Sequence, residues 1–93
     1  MENKEYLDKV IGSLVRGTKI DYEKKLLLFR FYNTHTSPHP STLFFIDSLK
    51  YVSKPPPFFR SYSKNTFGLT EDECRYVWKQ YVEIINHKIE NGE

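Results

Sequence analysis

Cys74 is the only cysteine in this 93-residue chain, so no disulfide can close within it, and the thiol economy fits a reducing compartment. Glycine is scarce too. Its four copies are scattered, which leaves no glycine-rich loop to cradle a phosphate. Long hydrophobic runs are missing. The longest, Leu26–Phe29 and Leu43–Ile46, hold four residues each, against the roughly 20 that a membrane helix needs. Met1 to Asp8 is polar and acidic, unlike the apolar stretch of a signal peptide. These absences lead us to expect a soluble, cytoplasmic protein. No Pro-x-x-Pro occurs, so the prolines 55–57 lack the spacing of an SH3 ligand. Acids are rare in the middle: residues 26–68 carry Asp47 alone against Arg30, Lys50, Lys54, Arg60 and Lys64.

What is present is aromatic. Phe and Tyr supply seven residues each, and such rings bury much area per residue, which suits a chain long enough for one small core. The lean toward Lys, Asn, Ile, Tyr and Phe is that of an AT-rich genome, as in a phage or a low-GC bacterium. The net charge is +2. The acids Glu71, Asp72 and Glu73 near the end of the chain are explained by a helix N-terminus, where the dipole favours them.

The pattern predicts an all-α domain resembling a small four-helix bundle, spanning 1–93 as one unit. Asn3 can cap a first helix over 3–16, whose stripe is Leu7, Val10, Ile11, Leu14 and Val15, with Gly17 as its stop. Asp21 can cap a second helix over 21–33. Its apolar run from Leu26 to Tyr32 also fits a buried strand, but no second convincing strand offers a pair. Ser37-Pro38 opens a third helix over 38–52, with Leu43, Phe45, Ile46, Leu49 and Val52 on its buried face. A sixteen-residue segment without periodicity, 53–68, reads as an extended loop. The last helix spans 70–91. Thr70 and Glu73 have capping-box spacing, Leu69 and Cys74 can form a hydrophobic staple, and Gly92 stands past the end. The expected core is Leu7, Val10, Ile11, Leu14, Leu27, Leu28, Phe31, Phe45, Ile46, Leu49, Val77, Trp78, Tyr81 and Ile85.

Chemistry-bearing residues are few. His35, His39, Cys74 and His87 are all the nitrogen and sulfur candidates for a metal. His35 and His39 have an acceptable spacing, yet Pro38 and Pro40 break any shared helix face, so no metal and no cofactor is expected. Cys74 sits where a helix dipole lowers a thiol pKa, but also at the staple position, where packing explains it. No acid pair or nucleophile–base set stands out, so the chain reads as non-enzymatic.

The distinctive segment is 54–67, with three cations, four aromatics and no acid. One expectation is a protein-interaction module, a regulator or inhibitor of a larger protein, contacting it through Phe58, Phe59, Arg60, Tyr62 and Lys64. Aromatics and Arg are enriched at such contacts. The alternative is a single-stranded DNA or RNA contact through Arg30, Lys50, Lys54, Arg60 and Lys64, cations meeting phosphates while rings stack on bases. The same Phe58, Phe59 and Phe67 would serve equally as core rings of a segment strapped across the helices. A DNA-reading helix-turn-helix fits poorly, because residues 41–52 offer only Lys50 as a base. An open stripe around Trp78 and Tyr81 would make the last helix a homodimer surface.

Overall fold

The computed structural model describes residues 3–33, 36–45 and 54–92, with side chains for 3–28, 54–57 and 59–92. It is not all-α. Three α-helices and a three-stranded antiparallel sheet stand among the described residues, in the order α1 (Lys4–Arg16), β1 (Thr18–Asp21), β2 (Leu26–Asn33), β3 (Thr36–Phe45), α2 (Pro57–Tyr62) and α3 (Glu71–Asn91).

The helices at the two ends of the chain follow their periodicity. α1 buries Leu7, Val10, Ile11 and Leu14 and stops at Gly17. α3 has the full capping box. The Thr70 hydroxyl accepts from the Glu73 backbone N–H at 3.2 Å, and the Glu73 carboxylate accepts from the Thr70 N–H at 2.9 Å. Gly92, at φ 71°, closes its other end in the left-handed conformation glycine adopts without strain.

The expected helix over 21–33 is replaced by the turn and second strand of a hairpin. Asp21 does act on a backbone N–H, but the donor is Lys24 at 3.0 Å, and the result is a tight turn rather than a helix start. Lys25 completes the reversal at φ 57°. β1 then pairs with β2 from Thr18↔Phe29 to Asp21↔Leu26. The partner strand that the apolar run needs is this short Thr-Lys-Ile-Asp segment, whose four residues are too few to show alternation.

The expected helix over 38–52 is likewise overturned as far as Phe45, since 36–45 form β3 and pair with β2 from Leu26↔Phe45 to Asn33↔Thr36. Pro38 and Pro40 explain the outcome. Each pushes its predecessor away from helical geometry, and both are tolerated in a strand at the edge of a sheet, as β3 is. Ile46, Leu49, Lys50 and Val52 lie outside the described residues.

The segment 53–68 is not an extended loop. Pro57 occupies the first position of α2, where a proline costs nothing because that N–H has no helical partner. The helix runs on as one widened π turn over Ser63–Phe67 and ends at Gly68, φ 69°.

The core joins α1, α3, β2 and α2: Leu7, Val10, Ile11, Leu14, Leu27, Phe59, Leu69, Cys74, Val77, Trp78, Tyr81, Val82 and Ile85 are buried. Leu28 is only half-buried, and the expected core positions Phe31 and Phe45 fall in strands. At its centre Phe59 meets Trp78 edge-on at 4.7 Å between ring centroids, and Trp78 lies 5.6 Å from Tyr81. Three hydrogen bonds tie α1, β1 and the β1–β2 turn to the π turn and α3. Tyr6 donates to the Phe67 carbonyl, Tyr81 is bonded to Thr18, and Tyr22 donates to the Lys88 carbonyl. The partners advance together along the chain, so α1 and α3 run parallel. Among the described residues no helix is long and apolar enough to cross a membrane.

The Tyr81–Thr18 bond has a defined direction. The Thr18 hydroxyl donates its one proton to the Leu14 carbonyl at 2.9 Å, so Tyr81 donates to Thr18, at 2.6 Å. Burial pushes the phenol up to about 12 from 10.0. The unfolded chain thus loses this proton near pH 10 while the folded chain holds it to about 12. The stability tied to it is complete below pH 10 and falls as pH rises through 12, by roughly 3 kcal/mol in all. Urea midpoints of the wild type and Tyr81→Phe at pH 7 and pH 11.5 test this. The variant should lose about 1 kcal/mol at pH 7 and show the smaller alkaline decline.

Candidate functional site

A cleft of about 610 Å³ opens between α2 with its π turn and the first turn of α3. Its lining is Pro57, Arg60, Ser61, Lys64, Leu69, Thr70, Glu71 and Cys74. The local sequence builds it from the bottom upward. Phe59 is 1% exposed and anchors α2 in the core, which turns Arg60 and Ser61 outward. The π turn returns the chain through Gly68, Leu69 drops into the core at 5% exposure, and Thr70 starts α3. Leu69 and Cys74, the staple pair, therefore form an apolar floor beneath a polar rim.

The charges on the rim and along the first turn of α3 beside it are largely matched among the described residues. Arg60 and Glu71 form a salt bridge, Asp72 lies 3.7 Å from Arg75, and the Glu73 carboxylate is held by the Thr70 N–H. Lys64, four residues after Arg60 on the same wall, is exposed and has no ion-pair partner among the described residues. The Cys74 thiol is pushed above its usual range by burial, with the nearby Ser63 hydroxyl and the Arg60 charge opposing. It therefore stays protonated at neutral pH, and the side chain packs in the core beside Leu69.

The residues singled out from sequence separate into distinct settings. Phe59 is in the core, beyond the reach of a partner, and Tyr62 is half-buried against Phe67, edge to face at 5.7 Å. Arg60 and Lys64 line the cleft. Lys54 is exposed ahead of α2. Phe58 belongs to α2 and Arg30 to β2, while Lys50 lies outside the described residues. The structure thus brings Arg60 and Lys64 together and takes Phe59 away from them. Ser61, Leu69, Thr70, Glu71 and Cys74 complete the cleft. The capping-box and staple spacing at 69–74 was the signal for their position, but a cap is ordinarily read as a helix start and not as a wall.

The candidate metal ligands Cys74 and His87 lie apart on α3, with Cys74 buried near its start and His87 bonded to Asn91 near its end. Among the described residues no three His, Cys, Asp or Glu side chains are grouped closely enough to hold a metal. Comparison with protein-family models, curated proteins and solved structures finds no match for this chain.

Both partners of the Arg60–Glu71 bridge are more than half exposed, at 52% and 62%, so it contributes at most about 1 kcal/mol. Thermal unfolding should show Arg60→Ala as nearly silent. Thr70→Ala, which removes the cap of α3, should cost about 1 kcal/mol, and Phe59→Ala about 3–5 kcal/mol. A large loss from Arg60→Ala would mean that the bridge is structural.

Proposed function

We propose that the protein is a non-enzymatic interaction module that docks a larger protein in the cleft between α2 and α3. The observation that carries this reading is the cleft's make-up, an apolar floor of Leu69 and Cys74 under a rim on which Arg60 is matched by Glu71 and Lys64 is left without an ion-pair partner among the described residues. Such a surface suits a small apolar anchor from a partner with an acidic group beside it, a hydrophobic centre with a polar rim. It suits nucleic acid less well. Glu71, Asp72 and Glu73 stand next to the cations of the 54–67 segment and repel phosphates, and the buried Phe59 cannot stack on a base.

Ser61 is exposed on the rim and makes no core contact, so Ser61→Trp fills the cleft while leaving the fold intact. In nuclease-treated lysate of the source cells, the wild-type chain should capture a discrete protein that Ser61→Trp loses and a control change at exposed Glu83, Glu83→Ala, retains. Capture unaffected by Ser61→Trp would remove the cleft from this role.

A further inference from the structure

The cleft between α2 and α3 is closed at one end by the chain itself. Its two walls are consecutive in sequence. Pro57, Arg60, Ser61 and Lys64, at the three- and four-residue spacing of one helical face, form the first wall. Glu71 and Cys74 form the second, and Leu69 and Thr70 stand at the junction. The Gly68 N–H donates to the Lys64 carbonyl at 3.1 Å, and the Leu69 N–H to the Ser63 carbonyl at 3.3 Å. Lys64 is therefore the residue of the α2 wall beside the junction, and Pro57 stands at the open mouth. The space between them is a blind notch of about 610 Å³. That is the size of a site that encloses one bound group. A docking face between two folded surfaces spreads over about 800 Å² per partner instead.

Three charged side chains line the notch among the described residues, Arg60, Lys64 and Glu71. Arg60 and Glu71 pair with each other from opposite walls. The acids next along α3 are engaged outside it: Asp72 lies 3.7 Å from Arg75, and the Glu73 carboxylate accepts from the Thr70 N–H at 2.9 Å. What is left for a ligand is one cation, Lys64, at the closed end, together with the apolar floor of Leu69 and Cys74.

A ligand for this site needs an aliphatic side chain and a carboxylate close together. An internal segment of a protein supplies them badly. In an extended segment neighbouring side chains leave from opposite faces, so an apolar residue and the acid next to it do not enter the same notch. Such a segment must also leave the notch as well as enter it, and the junction at Leu69–Thr70 blocks that route. A chain end meets both conditions. Its last side chain and its carboxylate share one Cα, and it needs only the mouth. Capture of a terminal carboxylate is an established way of recognising a peptide.

We propose that the cleft captures the C-terminus of a partner protein, with the aliphatic side chain of its last residue on Leu69 and Cys74 and its carboxylate paired with Lys64. The proposal rests on protein docking in this cleft and names what docks there.

The test is a titration of the ¹⁵N-labelled full chain, followed by amide shifts, with acetyl-Gly-Ser-Gly-Leu as free acid and as amide. The free acid should shift the amides of Lys64, Leu69, Thr70 and Cys74 and bind about tenfold more tightly than the amide, as the loss of a hydrogen bond to a charged group implies. Acetyl-Gly-Leu-Glu-Gly-Ser-amide, with the same two groups inside a chain, should bind no better than the amide. Lys64→Met keeps an unbranched stem at an exposed position, so the fold is not at stake, and it should remove the advantage of the free acid. Glu71→Gln, which releases Arg60 and takes away a like charge, should tighten the free acid several-fold and leave the amide unchanged. Equal binding of acid and amide, equal binding of the internal peptide, an acid advantage that survives Lys64→Met, or no shift at the cleft with any peptide would each overturn the proposal. Protein docking in the cleft is judged separately, by whether capture is lost in Ser61→Trp.

Discussion

The fold depends on the contact between Phe59, Trp78 and Tyr81. These three rings are each buried to 1% exposure, and they come from elements that share no hydrogen-bonded ladder. Trp78 and Tyr81 belong to the long α3, whose own periodicity puts them on one stripe. Phe59 belongs to a helix of six residues, too short to persist alone in water. α2 exists because the contact of Phe59 with Trp78 supplies the burial that local propensity cannot. The same cluster reaches the sheet through Tyr81 and Thr18, so the position of the hairpin, the cleft and the parallel α1–α3 pair all refer back to one group of side chains.

Legibility in the sequence followed the strength of periodic signals. α1 and α3 are long enough for an apolar stripe to repeat, and the Thr70–Glu73 box and the two terminal glycines mark their ends chemically. Leu26 to Tyr32 has no such repeat. A segment apolar on both faces satisfies helix and strand equally, and only its partners decide. Those partners were a four-residue strand and a strand with two prolines, each weak on its own. Asp21 misled in a specific way, since a carboxylate that accepts from a backbone N–H three residues on starts a helix or closes a turn with the same bond. Pro57 was ambiguous for a related reason. A run of three prolines breaks whatever precedes it, and its last member is also a good first residue for a helix.

The candidate site was legible in part for the same reasons. Arg60 and Lys64 drew notice for their charge, and four-residue spacing on a helical segment does put them on one wall. Phe59 drew notice for the opposite of its role, because an aromatic residue in a segment without periodicity gives no sign of the direction it faces. The neutralisation of Arg60 by Glu71 also escapes a linear reading. The two stand eleven residues apart in segments of opposite charge, and only the reversal at Gly68 brings them together.

The three hydrogen bonds that tie the first part of the chain to its last third span 61, 63 and 66 positions. Their near-equal separations follow from two segments running in the same direction, and they carry a kinetic meaning. In an antiparallel pair, contacts near the connection close short loops first and the rest zip up progressively. Here every contact closes a loop of about the same length, so the chain has no short one to begin with. The closure entropy, roughly 4 kcal/mol by the logarithmic dependence on loop length, falls almost wholly on the first contact, and the others then form with little further cost. The hairpin, by contrast, joins neighbours in sequence and can assemble on its own timescale. The pairing of the two ends of the molecule is thus the costliest closure in the fold and the sheet hairpin the cheapest, and the ring cluster of α2 and α3 supplies the buried surface that offsets the former.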